Sequence, residues 1–270
     1  MIKETYIESK NNSRIREYKK LKEKKYRLKE GMYLVEGFRL VEEAFKAGRH
    51  VHAVLYEKGK EEEFRRYIEP YAEKTDIVLT EKDVIVELSS TVHPQGVIGI
   101  ISIEDSSSDE ISLRDTSTGL LIYLDGLQDP GNLGTIIRSA HASGAKGIIL
   151  GQNTVDPYNE KVIRSSMGSI FYLPIYLEGE KTLDQFMSEG YHLAVTSLKA
   201  TRNLYHEDLT GKMIIAIGNE GNGITQEIEA KADLLLKIPM PGGAESLNAA
   251  VAASIILFER VRQLENDFLK

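Results

Sequence analysis

The sequence contains no cysteine and no tryptophan, and aromatic residues make up only 7% of its 270 positions. Without cysteine there is no disulfide framework, thiolate nucleophile, Cys-ligated zinc or iron–sulfur cluster, which fits a reducing compartment. Long apolar runs are also missing: none approaches the ~18 residues of a membrane span. The opening stretch MIKETYIESKNNSRIREYKK lacks the apolar centre of a signal peptide. These absences give the expectation of a soluble cytoplasmic protein with no membrane partner. Positive charge is in deficit too, 34 Lys+Arg against 41 Asp+Glu for a net charge of -7, which at first sight argues against a nucleic-acid partner. What is present, 41% hydrophobic residues, suffices for real cores in two domains or one large one.

The net charge hides an asymmetry. Between Ser9 and Lys29 lie ten basic residues, among them Lys10, Lys22, Arg27 and Lys29, and two acidic ones, Glu17 and Glu23, a local balance of +8. Ile15, Tyr18, Leu21 and Leu28 sit at near-helical spacing, so the segment reads as a helix with one anchored face and a basic outer face. Such a face is either simply solvated or a phosphate-backbone contact. An alternating pattern follows: a helix over Val35 to Gly48, a strand over Val51 to Tyr56, a helix over Glu61 to Ala72, and a strand over Asp76 to Thr80. A helix over Lys82 to Leu88 and a strand over Val97 to Ile103 complete a small α/β unit. The stretch Glu104 to Gly119 lacks apolar periodicity and marks a boundary. The division is therefore residues 1–103, a linker over 104–118, and a second domain over 119–270.

That second domain opens with the nearly all-apolar strand Leu120 to Leu124, as a buried parallel strand should. Further strands are expected at Gly147 to Leu150, Phe171 to Ile175, His192 to Thr196, Met213 to Ile217 and Leu234 to Ile238, with a final helix from about Leu247 to Leu264. Strands alternating with helices predict an α/β fold with a mostly parallel open sheet, whose ligand site lies in the loops beyond the carboxyl ends of the strands.

Three of those loops are rich in glycine: LDGLQDPGNLGTIIRSA from Leu124, IGNEGNGIT from Ile217 and IPMPGGAESLNAA from Ile238. One such loop is often just a tight turn, but three at strand ends of one domain point to a shared site. IGNEGNG spaces its glycines G-x-x-G-x-G, the reverse of the dinucleotide fingerprint, and no G-x-x-x-x-G-K-[ST] occurs. The six histidines include one close pair, His50 and His52, without a carboxylate at ligand spacing, so no metal is expected. Ser246 has no G-x-S-x-G elbow; Ser246 and Asn248 read as helix-start hydrogen-bonding residues, in capping or in ligand contact.

In order and position, NLGTIIRSA, GNEGNGI and IPMPGGAESLN resemble the three signature motifs of the SpoU (TrmH) family of S-adenosylmethionine-dependent RNA 2′-O-ribose methyltransferases, within the SPOUT superfamily. The likeness covers about Leu120 to Leu264. The preceding region, with NSRIREYKKLKEKK, YLVEGFRLVEEA and TVHPQGVIGI, is similar to the L30e-like substrate-binding domain of the ribosomal-RNA members; Gly99 stands where alanine is usual. The resemblance implies a deep trefoil knot in the C-terminal sheet domain and a bent cofactor, S-adenosylmethionine, held by Leu198, Gly218, Glu220, Ile238, Met240, Ser246, Leu247 and Asn248. It also implies a homodimer in which Arg138 of one subunit approaches the cofactor of the other.

For the chemistry, the resemblance puts Arg138, Asn132, Glu220, Ser246 and Asn248 at the catalytic site. A guanidinium stays protonated and is a poor base, so Arg138 is read as holding the RNA phosphate and stabilising the developing alkoxide, Asn132 as orienting Arg138 or the ribose, and Glu220 as fixing the first loop. Arg14, Arg16, Lys19, Lys20, Lys24, Lys25 and Arg39 are the expected RNA contacts. The separate N-terminal domain favours 23S ribosomal RNA as substrate; a tRNA substrate, or a non-catalytic RNA-binding or assembly factor of the same fold, are the alternatives. The missing cysteines agree with transfer to a ribose oxygen, since they exclude a cysteine nucleophile acting on a base.

Overall fold

A computed structural model of the chain describes residues 4–104, 118–197 and 200–268, with side chains to residue 265. The chain divides into two compact units. In the first, a five-stranded sheet has the order β1 (Glu4–Ile7), β4 (Asp76–Thr80), β3 (Val51–Glu57), β5 (Val97–Ser102), β2 (Met32–Glu36). The β1–β4 and β4–β3 pairs are parallel, while β3–β5 and β5–β2 are antiparallel. Ile15, Leu21, Leu34, Leu55, Val78 and Ile98 form part of its core.

Several elements of this unit differ from the sequence reading. Met32–Glu36 is a strand rather than the approach to a helix, because its aromatic and β-branched residues pair with β5. Gly37, at φ +110°, then turns the chain into helix α3 (Phe38–Lys46). Pro70 falls within a single 3₁₀ turn, Glu69–Tyr71, that follows helix α4 (Glu61–Tyr67). The segment Tyr158–Phe171, with helix α7 (Glu160–Ser165) and the turn Ser169–Phe171, packs within this first unit despite its place in the sequence. Its Tyr158 ring lies 4.8 Å from that of Tyr33, and the Phe171 carbonyl accepts from Arg49 Nε at 2.6 Å. The expected strand over Phe171 to Ile175 reduces to the two residues Ile175–Tyr176.

The basic segment forms two short helices, α1 (Ser13–Lys20) and α2 (Lys24–Glu30), instead of one. Ile15 and Leu21 are buried as expected, but Leu28 is 52% exposed. Arg27, counted above with the outer charges, is buried, and its Nη1 donates to the carbonyls of Leu21 at 2.8 Å and Lys22 at 2.7 Å. It closes the carboxyl end of α1, where unsatisfied carbonyls and the helix dipole favour a cation.

The second unit is a seven-stranded, wholly parallel sheet. Its order is β10 (Arg202–Asn203), β12 (Leu234–Lys237), β9 (His192–Thr196), β11 (Met213–Gly218), β6 (Leu120–Asp125), β7 (Gly147–Leu150), β8 (Ile175–Tyr176). Every residue of β6, β7 and β11 is buried, as their unbroken apolar runs require. The register pairs Gly218 with Asp125 and Leu236 with Thr196, so the carboxyl ends of β6, β11, β9 and β12 lie side by side. Helix α6 (Pro130–Ala142) follows β6, and the long helix α10 (Ala249–Phe268) packs against it through a 2.8 Å contact between the Ser139 and Ser254 hydroxyls.

Replacing Arg27 with alanine removes two charge-assisted hydrogen bonds from buried carbonyls and should destabilise the first unit by about 2–4 kcal/mol. Lys24→Ala, on an exposed side chain, should change stability by less than about 0.5 kcal/mol. Urea unfolding of the two variants followed by circular dichroism checks the contrast.

Candidate functional site

All three glycine-rich loops emerge from the carboxyl edge of the parallel sheet. The first leaves β6 through Gly126, at φ +68°, and enters α6 at Pro130. Asp129 caps that helix, its carboxylate accepting from the Asn132 backbone N–H at 2.8 Å. The second loop, after β11, is a tight hairpin closed by paired backbone bonds between Asn219 and Gly223 at 2.9 and 3.0 Å. Gly218 at its base cannot carry a side chain: a Cβ there would lie 2.2 Å from the Gly223 carbonyl carbon and 2.4 Å from the Ile224 nitrogen. The third loop runs from β12 to Asn248, whose Oδ1 caps α10 by accepting from the backbone N–H of Ala250 at 2.9 Å and Val251 at 3.3 Å.

One hydrogen-bonded chain joins the three. Asn248 Nδ2 donates to Asn132 Oδ1 at 2.9 Å, and Asn132 Nδ2 donates to Glu220 Oε1 at 2.9 Å. The Glu220 carboxylate also accepts from the backbone N–H of Asp129 at 3.2 Å and of Gln128 at 3.3 Å. Partial burial works against ionisation of Glu220, but the donated bonds, with Asn132 the largest, outweigh it and hold the pKa below the ordinary carboxylate value. The pattern fixes which end of each amide is oxygen: Asn132 must present its NH₂ to the carboxylate, so its oxygen faces Asn248.

Glu220, Asn132 and Asn248, all singled out in the sequence, are thus brought together. Gly218, Glu220, Ile238, Met240, Ser246, Leu247 and Asn248 line one cleft of about 680 Å³ in the second unit. Leu198 lies outside the described residues. Ser246 is exposed and has no hydrogen bond among the described residues, so of the two helix-start candidates only Asn248 caps. Arg138 is not among the cleft residues; it sits on the exposed side of α6 with no hydrogen bond or ion pair among the described residues. In the first unit, Arg14 pairs with Asp76, Lys19 with Glu87 and Lys20 with Glu17, whereas Arg16, Lys24, Lys25 and Arg39 make no ion pair among the described residues. Lys20 and Lys25 both lie over the Tyr26 ring.

Sequence reasoning passed over two further groups. Asn219 ties the second loop to the first, donating from Nδ2 to the Gly126 carbonyl at 2.8 Å while its Oδ1 accepts from Gly221 and Asn222 at 2.8 and 3.1 Å. Buried Asp125 accepts from the Thr225 N–H at 2.6 Å. Asn219 lies inside IGNEGNGIT, where a short polar side chain between glycines is itself a turn signal; Asp125, a lone acid ending an apolar strand, gave the other.

The cleft fits S-adenosylmethionine in size and chemistry. Its volume suits a ligand of that class, Ile217, Ile224, Leu236 and Leu247 supply apolar walls, and the carboxylates of Glu220, Glu229 and Glu245 supply negative charge for a cationic ligand. Gly221 and Gly223 place no side chain on the cleft wall.

Residues 119–258 match the SpoU rRNA Methylase family and residues 12–99 the MRM3-like substrate binding domain. The chain is 32% identical over 253 residues to the Bacillus subtilis 23S rRNA (guanosine(2553)-2′-O)-methyltransferase RlmP, covering 93% of this chain and 97% of that protein. It is 33% identical over 261 residues to an uncharacterised tRNA/rRNA methyltransferase of Synechocystis, covering 95% and 93%. The solved structure of the SpoU methyltransferase AviRb from Streptomyces viridochromogenes with AdoMet superimposes with a TM-score of 0.84 at 30% identity, covering 94% of this chain and 98% of that one. The AdoMet-bound rRNA methyltransferase from Sinorhizobium meliloti gives 0.83 at 31% identity, covering 97% and 98%. With its three interlocked loops in the matched segment, the chain belongs to the SpoU rRNA methylase family.

Proposed function

We propose that this chain, a SpoU-family RNA methyltransferase using S-adenosylmethionine, methylates a ribose 2′-oxygen of 23S ribosomal RNA in the cytoplasm and acts as a homodimer. The observation that carries this reading is the Glu220–Asn132–Asn248 chain, which ties the first loop to the two loops that line a cofactor-sized cleft. When bound, S-adenosylmethionine supplies an electrophilic methyl group on a sulfonium. Gly218, Ile238, Met240, Ser246 and Leu247 would hold it from the cleft wall, Leu198 belongs with this set by resemblance, and Asn248 secures the third loop. The knotted reading of this domain rests on the family resemblance.

The RNA must present a 2′-hydroxyl in line with the methyl group and lose its proton as the bond forms. Arg138 cannot take that proton. Its unpaired guanidinium instead holds an RNA phosphate and stabilises the developing alkoxide, and that phosphate passes the proton to water. Arg138 lies outside the cleft of its own chain, which agrees with the resemblance's placing of it at the partner's cleft. A stripe on α10 supports the dimer: Val251 and Phe258 are 48% and 49% exposed and, with half-buried Ile255, follow i, i+4, i+7 spacing.

Ribosomal RNA is favoured because the B. subtilis relative, matched over nearly its whole length, is named for 23S rRNA. A tRNA acceptor is the second reading, since the Synechocystis relative carries both names. Transfer of radiolabelled methyl groups to transcribed 23S ribosomal RNA and to bulk tRNA separates them; incorporation only into tRNA overturns the first, and none into either favours a binding factor. In the same assay, Arg138→Ala should lower kcat about 100- to 1,000-fold with the Kd for S-adenosylmethionine within about twofold.

Val251→Glu combined with Phe258→Glu should convert the dimer to a monomer by light scattering and abolish methyl transfer. Since Lys19 and Lys20 already have carboxylate partners, the salt dependence of RNA binding should rest on Arg16, Lys24 and Lys25. Replacing all three with glutamine should reduce the slope of log K against log[salt] by about 2–3, read by filter binding.

A further inference from the structure

Arg260, on α10, is only 3% exposed and makes no hydrogen bond or ion pair among the described residues. Its Nη1 is wholly buried. A guanidinium does not deprotonate to relieve such a position, and a buried charge is costly unless it is paired. Burial pushes the Arg260 pKa down, and the attraction of Asp208 does not reverse that. Asp208 is itself turned to Thr210, accepting from its N–H at 2.8 Å and its Oγ1 at 2.7 Å. Glu259, the neighbour in sequence, gives its carboxylate to Arg262 and Gln263.

Two more buried groups share this condition. The phenol oxygens of Tyr176 and Tyr191 have no partner among the described residues, and both rings pack edge-on against Phe186, at 5.6 and 5.5 Å between centroids. Burial raises the Tyr191 pKa, Glu189 adds to the rise and Arg260 works against it, so guanidinium and phenol lie within electrostatic reach of each other. Lys212 brings a second cation: its Nζ is 5.5 Å from the centre of the Tyr191 ring and donates to the Glu189 carbonyl at 3.3 Å. Gly119 closes one side, so near that a Cβ there would stand 2.1 Å from the Tyr191 oxygen. Gly119, Tyr191 and Lys212 immediately precede β6, β9 and β11, which places the cluster at the amino edge of the parallel sheet, opposite the cleft.

We propose that Arg260 Nη1 and the Tyr191 phenol hold a small inorganic anion of the chloride class at this edge of the second unit. Such an ion accepts from both the N–H and the O–H and cancels the guanidinium charge, whereas a water would satisfy the donors and leave the charge uncompensated. Sulfate and phosphate bring four oxygens and more charge than one buried guanidinium balances, so a monatomic anion suits the donors better. The bound ion ties the middle of α10, the helix whose first turn Asn248 caps, to the segment that enters β9. It acts on the stability of the second unit and is independent of the reaction assigned to the cleft.

Thermal unfolding of the full chain is compared in sodium chloride and in sodium gluconate of equal ionic strength, for wild type and for Arg260→Met. Relative to the variant, the wild type should gain about 2–4 °C in midpoint when chloride replaces gluconate, and the gain should saturate with chloride concentration. Tyr191→Phe, which removes the second donor, should reduce the gain. The same chloride response in wild type and Arg260→Met overturns the proposal. A crystal of the unaltered chain grown in bromide should show an anomalous peak within hydrogen-bond distance of Arg260 Nη1. Water density there without an anomalous peak overturns it as well, and this second measurement decides the matter if Arg260→Met does not fold.

Discussion

The side-chain amide of Asn132 meets two demands at once, and the geometry of the cleft follows from them. Its NH₂ faces the Glu220 carboxylate and its oxygen faces the Asn248 amide, partners 88 and 116 residues away in sequence. An aspartate at this position would set two carboxylates against each other, and an apolar residue would remove both bonds between the loops. Glu220 is in turn tied to the backbone of the first loop and Asn248 to the first turn of α10. The loops therefore hold one another, and the site is preorganised by polar bonds at the rim of an apolar sheet.

The sheet makes that arrangement possible. Seven parallel strands place every carboxyl end on one edge, and the register of β6, β11, β9 and β12 brings their last residues abreast. Gly218 adds a steric constraint, because the chain at Gly223 and Ile224 passes where a side chain would be. Asn219 and Asp125 carry the polar bonds one layer inward, linking the hairpin to the strand beside it.

Much of this was legible in the residues. Strands built of apolar runs, such as Leu120–Asp125 and Met213–Gly218, announce themselves, since a strand buried on both faces has no polar alternation to obscure it. The second and third glycine loops located the cleft, and the motif resemblance picked out Asn132, Glu220 and Asn248. Other features depended on contacts that no local pattern encodes. Met32–Glu36 reads as well before a helix as in a strand until its pairing with β5 is known. Arg27 and Lys22 look like any other charges in a basic run, and only the fold assigns them to carbonyls. The same holds for the pairing of Arg14 and Lys19 with Asp76 and Glu87, which turns part of an apparent positive surface into scaffold.

The place of Tyr158–Phe171 in the first unit bears on how the chain comes to be folded. That unit is discontinuous: its sheet is complete by Ser102, but buried Tyr158, Val162, Ile163 and Phe171 arrive only after β6, α6 and β7 have been made. During synthesis from the N-terminus, the amino-terminal unit therefore cannot finish before two of the seven strands of the second unit's sheet have emerged. For the same reason, recombination at the linker alone would not exchange it cleanly between relatives. A shuffled gene would have to carry two separate segments.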